Sequence, residues 1–461
     1  MTNTYGTAPN SAGGGDHEDS SEHSALLGGH SVANVAKPDG HASMISSTSN
    51  LANTIIGSGM LTFPLALASA GILPGMLTCV LSGGIAVFGL YLLSLCAAKA
   101  PHRRASFFAI AQMTFPKAAV FFDAAIAIKC FGVSISYLII IKDLTPNVIA
   151  SLYHDLSDSE PPQWMLDGRR WLSIFMLVLI PLAFLRQLNS LRHTSYVALF
   201  SVAYLLVIVI RCYFWPLKDM PPAGEIHLIH FTSNFISTFP VQVFAFTCSQ
   251  NLFPIYNEVK SNTQPRMNVI IGSAIGSATL VYEVIAVFGY LTFGTNVGAN
   301  IIAMYPAKSL FVAIGQVAIV ILVLFSYPLQ VHPCRNCLDK VFHAGEIMKQ
   351  ADNEEEAVDD HGSGAMSNTK HTILTVAIIV STFTIAYLVD DLKIVLSFVG
   401  STGSTTISFI LPGLFYWKIS RGDESSRLLN RAALALAVYG VCVFIFCLGY
   451  NIYQVIKPPA L

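Results

Sequence analysis

Asn50-Leu51-Ala52-Asn53-Thr54-Ile55-Ile56-Gly57-Ser58-Gly59-Met60-Leu61-Thr62-Phe63-Pro64-Leu65-Ala66-Leu67 combines two opposed tendencies. It lies in an apolar segment long enough to span a bilayer, for which about 20 residues suffice. Yet it carries Gly-Ser-Gly at mid-depth and a proline five residues after Gly59. Glycine costs roughly 1 kcal/mol in a helix interior, and proline more. Non-helical backbone at that depth is tolerated only under protein or beside a watery cavity. The stretch therefore predicts a helix broken at Gly57-Ser58-Gly59. The freed N–H groups of Ile56, Gly57, Ser58, Gly59 and Met60 open a second half-helix, whose positive end suits a carboxylate. Tight packing through small residues is the plainer reading, but Gly57 and Gly59 lie two apart and make no small-xxx-small stripe.

Composition agrees with a membrane setting. Of 461 residues, 53% are hydrophobic and 11% charged, where a soluble domain carries about 25% charged. A net charge of −1 gives no basic field, so nucleic acid is not an expected partner. The nine cysteines are odd in number and mostly lie in apolar runs, which suits core packing better than a disulfide framework. Cys334-x-x-Cys337 stands without a second pair of zinc ligands. No cleavable signal peptide is read at the start.

The pattern predicts an all-α polytopic chain. Residues 1–42 read as a disordered cytosolic tail, 43–455 as the transmembrane domain and 456–461 as a short second tail. In the first tail, Glu22-His23-Ser24-Ala25-Leu26-Leu27 has the form of an acidic dileucine signal, which a sorting adaptor would read through Glu22, Leu26 and Leu27. Eleven apolar spans are expected, starting near Met44, Ile72, Ala119, Trp171, Ser195, Phe231, Asn268, Ser309, Thr372, Ile394 and Ala432. With the N-terminus inside, Lys and Arg number 17 on the inner side and 8 on the outer, which favours a cytosolic N-terminus. The inner loop 333–370 carries the acidic run Asn353 to Asp360, read as a solvated segment.

The sixth span holds a second break. Thr247-Cys248-Ser249-Gln250-Asn251 interrupts an aromatic stretch between Pro240 and Pro254. A helix simply reaching the interface competes with this reading, because the inner loop starts near Asn257. Spans one to five and six to ten then form two sets, each opening on a broken helix. That is the LeuT-type 5+5 inverted repeat, with one helix added.

These residues resemble a known family. Gly57-Ser58-Gly59-Met60-Leu61-Thr62-Phe63-Pro64 is similar to the first-helix signature of the amino acid/auxin permeases. Cys130 to Ile140, Phe244 to Glu258, Val287 to Gly294 and Phe398 to Ser404 resemble their third, sixth, seventh and tenth helices. The likeness runs over about 42–455, nearest the fungal vacuolar branch and akin to animal sodium-coupled neutral amino acid transporters. It implies amino acid transport by alternating access, with the substrate between helices one, three, six, eight and ten. It implies no cofactor beyond a coupling H+ or Na+. In the sodium-coupled relatives an asparagine of helix one and a hydroxyl of helix eight help hold sodium; Asn53 and Ser326 match those positions. Ser249 stands where many members carry histidine, which removes one candidate pH sensor.

Two charges fall inside spans: Lys129 in the third and Glu283 in the seventh. A central charge costs about 2.5–3.5 kcal/mol on insertion scales, so it faces a cavity or a partner. The expectation is that the two interact, directly or through water, and that one exchanges a proton; a permanent ion pair is the plainer alternative. A third reading has the Lys129 ammonium in place of a bound cation. Thr62, Ser134, Tyr137, Tyr282 and Thr402 are read by default as helix–helix hydrogen-bond partners. Ser134 and Tyr137, about a turn beyond Lys129, are the better substrate candidates.

The resulting reading is a secondary active amino acid carrier in a vacuolar or lysosomal membrane, in contact with the bilayer and its substrate. The carboxylate meets Ile56 to Met60, and the ammonium meets Phe246, Thr247, Cys248, Ser249 and Gln250. The alternative is an amino acid sensor of the same fold with little flux. An enzyme is not expected: the chain has no His-Glu-x-x-His, P-loop or Gly-x-Ser-x-Gly.

Overall fold

The computed structural model describes residues 40–100, 103–116, 119–157, 161–186, 194–342, 366–422 and 426–457. The dileucine stretch and the acidic run of the inner loop lie outside them. In chain order, the broken opening segment comprises α1 (Met44–Ile55), a 3-10 turn (Ser58–Thr62) and α2 (Phe63–Ala70). Then follow α3 (Ile72–Ala97), the short α4 (Phe107–Thr114), α5 (Ala119–Ser157), α6 (Gly168–Ala183) and α7 (Thr194–Phe214). The second half holds α8 (Phe235–Ala245), α9 (Ser249–Glu258), α10 (Gln264–Phe293), α11 (Leu310–Phe342), α12 (Asn368–Leu388), α13 (Leu392–Ile419) and α14 (Arg427–Ile456).

Eight of these helices are long and apolar enough to cross a membrane, and α1 with the following Ser58–Ala70 segment makes a ninth candidate bent by 48°. The surface reverses that of a soluble protein. Leu77, Val80 and Leu81 on α3 and Ile445 and Phe446 on α14 are exposed, while Ser134, Ser136, Gln242, Thr247, Ser401 and Ser404 are buried. Apolar outside and polar inside is what lipid selects. The chain is a multi-pass membrane protein.

The helix ends follow local chemistry. Ser43 caps α1 by accepting from the Ser46 N–H at 3.2 Å, and Asp167 and Asp391 do the same for α6 and α13. Gly71 ends α2 at φ +89°, and its N–H returns to the Leu67 carbonyl at 2.7 Å. A side chain there would also meet the backbone of Ile229 and His230 at 2.7 Å, so glycine is required twice over. The core is built on α5 lying along α11, the most extensive helix pair.

α13 is not a regular α-helix. Gly400–Ser404 and Thr406–Ile410 are π-helical, a widening found often at functional sites. The wider turn is held where Thr405 Oγ1 donates to the Gly400 carbonyl at 2.6 Å. Nothing in the hydropathy announced it, nor the eight-residue α4.

On the side where α12 ends, Lys142 of α5 is buried and fully used. Its ammonium donates to the Ala386 and Val389 carbonyls at 2.6 Å each and to Asp390 Oδ1 at 2.8 Å. Carbonyls at a helix C-terminus have no partner in their own helix, so Lys142 caps α12 from another element. Asp390 also pairs with Arg169 at 3.4 Å. The hydrogen bond from Lys142 holds the Asp390 carboxyl below the usual carboxylate range. A lowered folded-state value gives stability that is complete above the unfolded pKa of about 3.9 and is lost as pH falls through the folded value. The difference in melting temperature between the wild type and Asp390→Asn should therefore hold constant above about pH 4 and close only below it; thermal melts across acidic buffers measure this.

Candidate functional site

Both breaks lie where the helix-breaking residues put them. The last N–H to return into α1 is that of Ile56, to the Ala52 carbonyl at 2.9 Å. Gly57 is extended, with φ −146° and ψ −152°, and the Met60 N–H then closes onto the Gly57 carbonyl at 3.1 Å. That leaves the N–H groups of Gly57, Ser58 and Gly59 without a hydrogen bond among the described residues. Of the five predicted donors, Ile56 and Met60 are already engaged.

The second break is complementary. Phe246 N–H returns to Gln242 at 3.3 Å and Thr247 N–H to Phe244 at 3.0 Å, after which the ladder stops until α9 begins at Ser249. The carbonyls of Phe246 and Thr247 accept no hydrogen bond among the described residues. The two breaks touch: a Cβ on Gly59 would lie 2.8 Å from the Ala245 Cβ and 3.0 Å from its Cα. A break with three idle donors thus packs against one with two idle acceptors. A group that is negative at one end and positive at the other satisfies both, and buried backbone polar groups need such partners.

Neighbouring helices finish the site. Ser58 Oγ lies 3.4 Å from Ser136 Oγ on α5, so the contact from the third predicted span comes through Ser136. Ser134 instead donates to the Cys130 carbonyl of its own helix at 2.9 Å, and Tyr137 is buried facing Gln330 of α11. Asn251 donates to Thr54 Oγ1 at 2.6 Å, joining α9 to α1. Thr247 Oγ1 donates to the Val243 carbonyl at 2.9 Å and accepts from Ser408 of α13 at 3.3 Å. Cys248 and Ser249 are buried, and Gln250 keeps a buried Oε1 without a partner.

The strongest link was legible only as a generic helix contact. The Tyr282 hydroxyl on α10 is shared by the Ile55 carbonyl at 2.6 Å and the Ala245 carbonyl at 3.1 Å. These are the last residues of α1 and α8. One phenol therefore ties together the ends of both interrupted helices. Phe63 stacks on its ring at 4.5 Å and Phe246 meets it edge-on at 5.2 Å.

With this geometry in view, relatives identify the chain. The family model described as transmembrane amino acid transporter protein matches residues 40–457. The chain belongs to that family. It is 44% identical over 423 residues to vacuolar amino acid transporter 5 of Schizosaccharomyces pombe, covering 90% of this chain and 95% of the relative. It is 34% identical to vacuolar amino acid transporter 6 of Saccharomyces cerevisiae, over 88% of this chain and 98% of that one. Sodium-coupled neutral amino acid transporter 7 of Bos taurus is more distant, at 26% identity over 92% of this chain and 91% of its own length.

Of the readings of the two in-span charges, the permanent ion pair is not seen. Lys129 and Glu283 form no ion pair within 4.0 Å. Lys129 is buried at the second break, in electrostatic reach of Cys248 and packed against Gly403, whose Cβ would lie 2.8 Å from the Lys129 Cβ. Glu283 looks instead toward the Cys79 thiol of α3, and its buried carboxyl oxygens meet no cation among the described residues. Both residues were read as lying mid-span, but mid-span position fixes depth and not the face a side chain takes. Asn53 is half-buried on α1, and Ser326 donates to the Leu322 carbonyl of its own helix at 2.7 Å. No hydrogen bond joins Asn53 to Ser326 among the described residues.

Proposed function

We propose that the chain is a secondary active transporter that moves amino acids across the vacuolar membrane by alternating access. The observation that carries this reading is the pairing of idle Gly57, Ser58 and Gly59 N–H groups with idle Phe246 and Thr247 carbonyls. The amino acid carboxylate takes the first set and its ammonium the second, with Ser58 as a further carboxylate donor. The half-helix beginning at Ser58 adds its positive end to the carboxylate side. The names of the relatives support amino acids as cargo and the vacuole as location. The chain is a carrier rather than an enzyme, as its relatives are named.

In this reading the chain crosses the membrane eleven times, counting α1 with α2, α8 with α9, and the sixteen-residue α6 as spans. The two broken spans open two inverted five-helix repeats. The Lys and Arg bias sets the N-terminus in the cytosol. The coupling ion is the proton. Glu283 supports it: a carboxylate buried beside a neutral thiol, with no cation paired to it among the described residues, is costly unless it takes up a proton. Lys129 lies buried beside the second break, where its ammonium stands in for a bound cation in this reading. Asn53 and Ser326 then serve as oxygen donors to sodium only if uptake proves to need it.

Proteoliposomes holding the purified chain test this, with a pH gradient or a sodium gradient imposed separately. A pH gradient alone should drive amino acid uptake. Glu283→Gln keeps the side-chain shape and removes the titrating group, so uptake should lose its response to the pH gradient while exchange of labelled for unlabelled amino acid continues. Binding with no flux under either gradient would replace the carrier by a sensor of the same fold.

A further inference from the structure

A second polar cluster sits away from the two breaks, where α6 and α11 end and α12 begins. At its base is Arg335 of α11, only 1% exposed. Its Nη1 donates to the Ala183 carbonyl at 3.1 Å and to Thr375 Oγ1 at 3.0 Å, yet its Nε is buried without a partner. Beside Thr375, whose hydroxyl donates to the His371 carbonyl at 2.6 Å, lies His371 itself. It is 7% exposed and its Nε2 is likewise buried and unpartnered. His332 and the exposed Arg186 complete the group: both sit within electrostatic reach of Arg335, and His332 contacts the Arg186 backbone. Arg186 donates to Asn368 Oδ1 at 2.5 Å, at the first residue of α12.

The two fixed charges here have one sign. The ion pairs among the described residues include none to Arg186, His332, Arg335 or His371. The α12 N-terminus adds its own positive end, and Ser367 gives it no side-chain cap. A buried guanidinium without a counter-charge is strongly unfavourable. Two arginines, two imidazoles and an uncapped helix start form the donor set that phosphate groups select.

We propose that this cluster binds a phosphate-bearing anion, supplied by a lipid headgroup or by free phosphate. In the topology proposed above it faces the cytosol, but the proposal does not depend on that assignment or on the transport reading. The phosphate oxygens meet Arg186 and His371 beside the start of α12, with Arg335 beneath them supplying charge.

Thermal melting of the purified full chain in phosphatidylcholine nanodiscs tests it. One arm adds millimolar inorganic phosphate against sodium chloride of equal ionic strength. The other uses nanodiscs containing a phosphatidylinositol phosphate. A bound anion should raise the melting temperature by about 3 °C in at least one arm. The responding arm identifies the source. The rise should vanish in Arg186→Gln and in His371→Gln; the first lies at the surface and tests the site even if a buried variant misfolds. No rise above the chloride control in either arm, or equal rises in the variants, would overturn the proposal.

Discussion

Gly59→Ala should cut the maximal transport rate by at least about tenfold and lower the melting temperature, while Gly57→Ala should do neither. The two glycines stand two residues apart in the same break but meet different surroundings. A methyl on Gly59 would lie 2.8 Å from the Ala245 Cβ and 3.0 Å from its Cα. Backbone on the far side cannot step aside as a flexible side chain could, so the breaks must separate. Overpacking of this kind costs about 1–3 kcal/mol, and about 1.4 kcal/mol is already tenfold in a rate. A methyl on Gly57 finds only the Ile55 carbonyl, at 3.9 Å, and the negative φ there is open to any residue. It projects into the gap beside the idle N–H groups, so its effect should fall on KM. Initial-rate uptake with thermal melts of both variants separates the cases. Equal losses in the two would mean that the breaks are not in contact in the working carrier.

The contrast also marks what could be read from residues alone. A broken helix is a local event: Gly57-Ser58-Gly59 and the polar run from Thr247 disrupt their own ladders whatever surrounds them. Apolar length likewise gave most helix positions, with α3 and α5 starting at the predicted Ile72 and Ala119. Azimuth was not readable. Lys129 and Glu283 were read at similar depth yet look toward Cys248 and Cys79. That Ser136 and not Ser134 neighbours Ser58 was unreadable for the same reason, because a shift of two residues turns a helix by more than half a circle. The π-helical stretch of α13 escaped too, and it comes with a close tertiary approach. Gly400 packs so closely on α8 that a Cβ would lie 1.9 Å from the Pro240 carbonyl oxygen, and no property of the segment itself records that approach.

Tyr282→Phe should reduce the maximal rate by about tenfold with little change in KM, and lower the melting temperature. The substitution removes one oxygen and keeps the ring, so the stack on Phe63 and the edge contact with Phe246 survive. What is lost is the donor to the Ile55 and Ala245 carbonyls. Both residues are buried, and an unsatisfied buried acceptor costs about 1–3 kcal/mol. The hydroxyl does not reach for substrate; its single proton is taken by carbonyls that the breaks would otherwise leave idle. That makes Tyr282 a positioning residue, and KM should hold because the Gly57 to Gly59 N–H groups are untouched. A phenol joined to both helix ends also couples their movement: α1 cannot shift against α8 without giving up one acceptor. In the variant the two segments should move independently. Spin labels placed on α1 and α8 should then show broadened distance distributions relative to wild type. A variant that loses only thermal stability, with rate and distributions unchanged, would reduce Tyr282 to a core hydrogen bond.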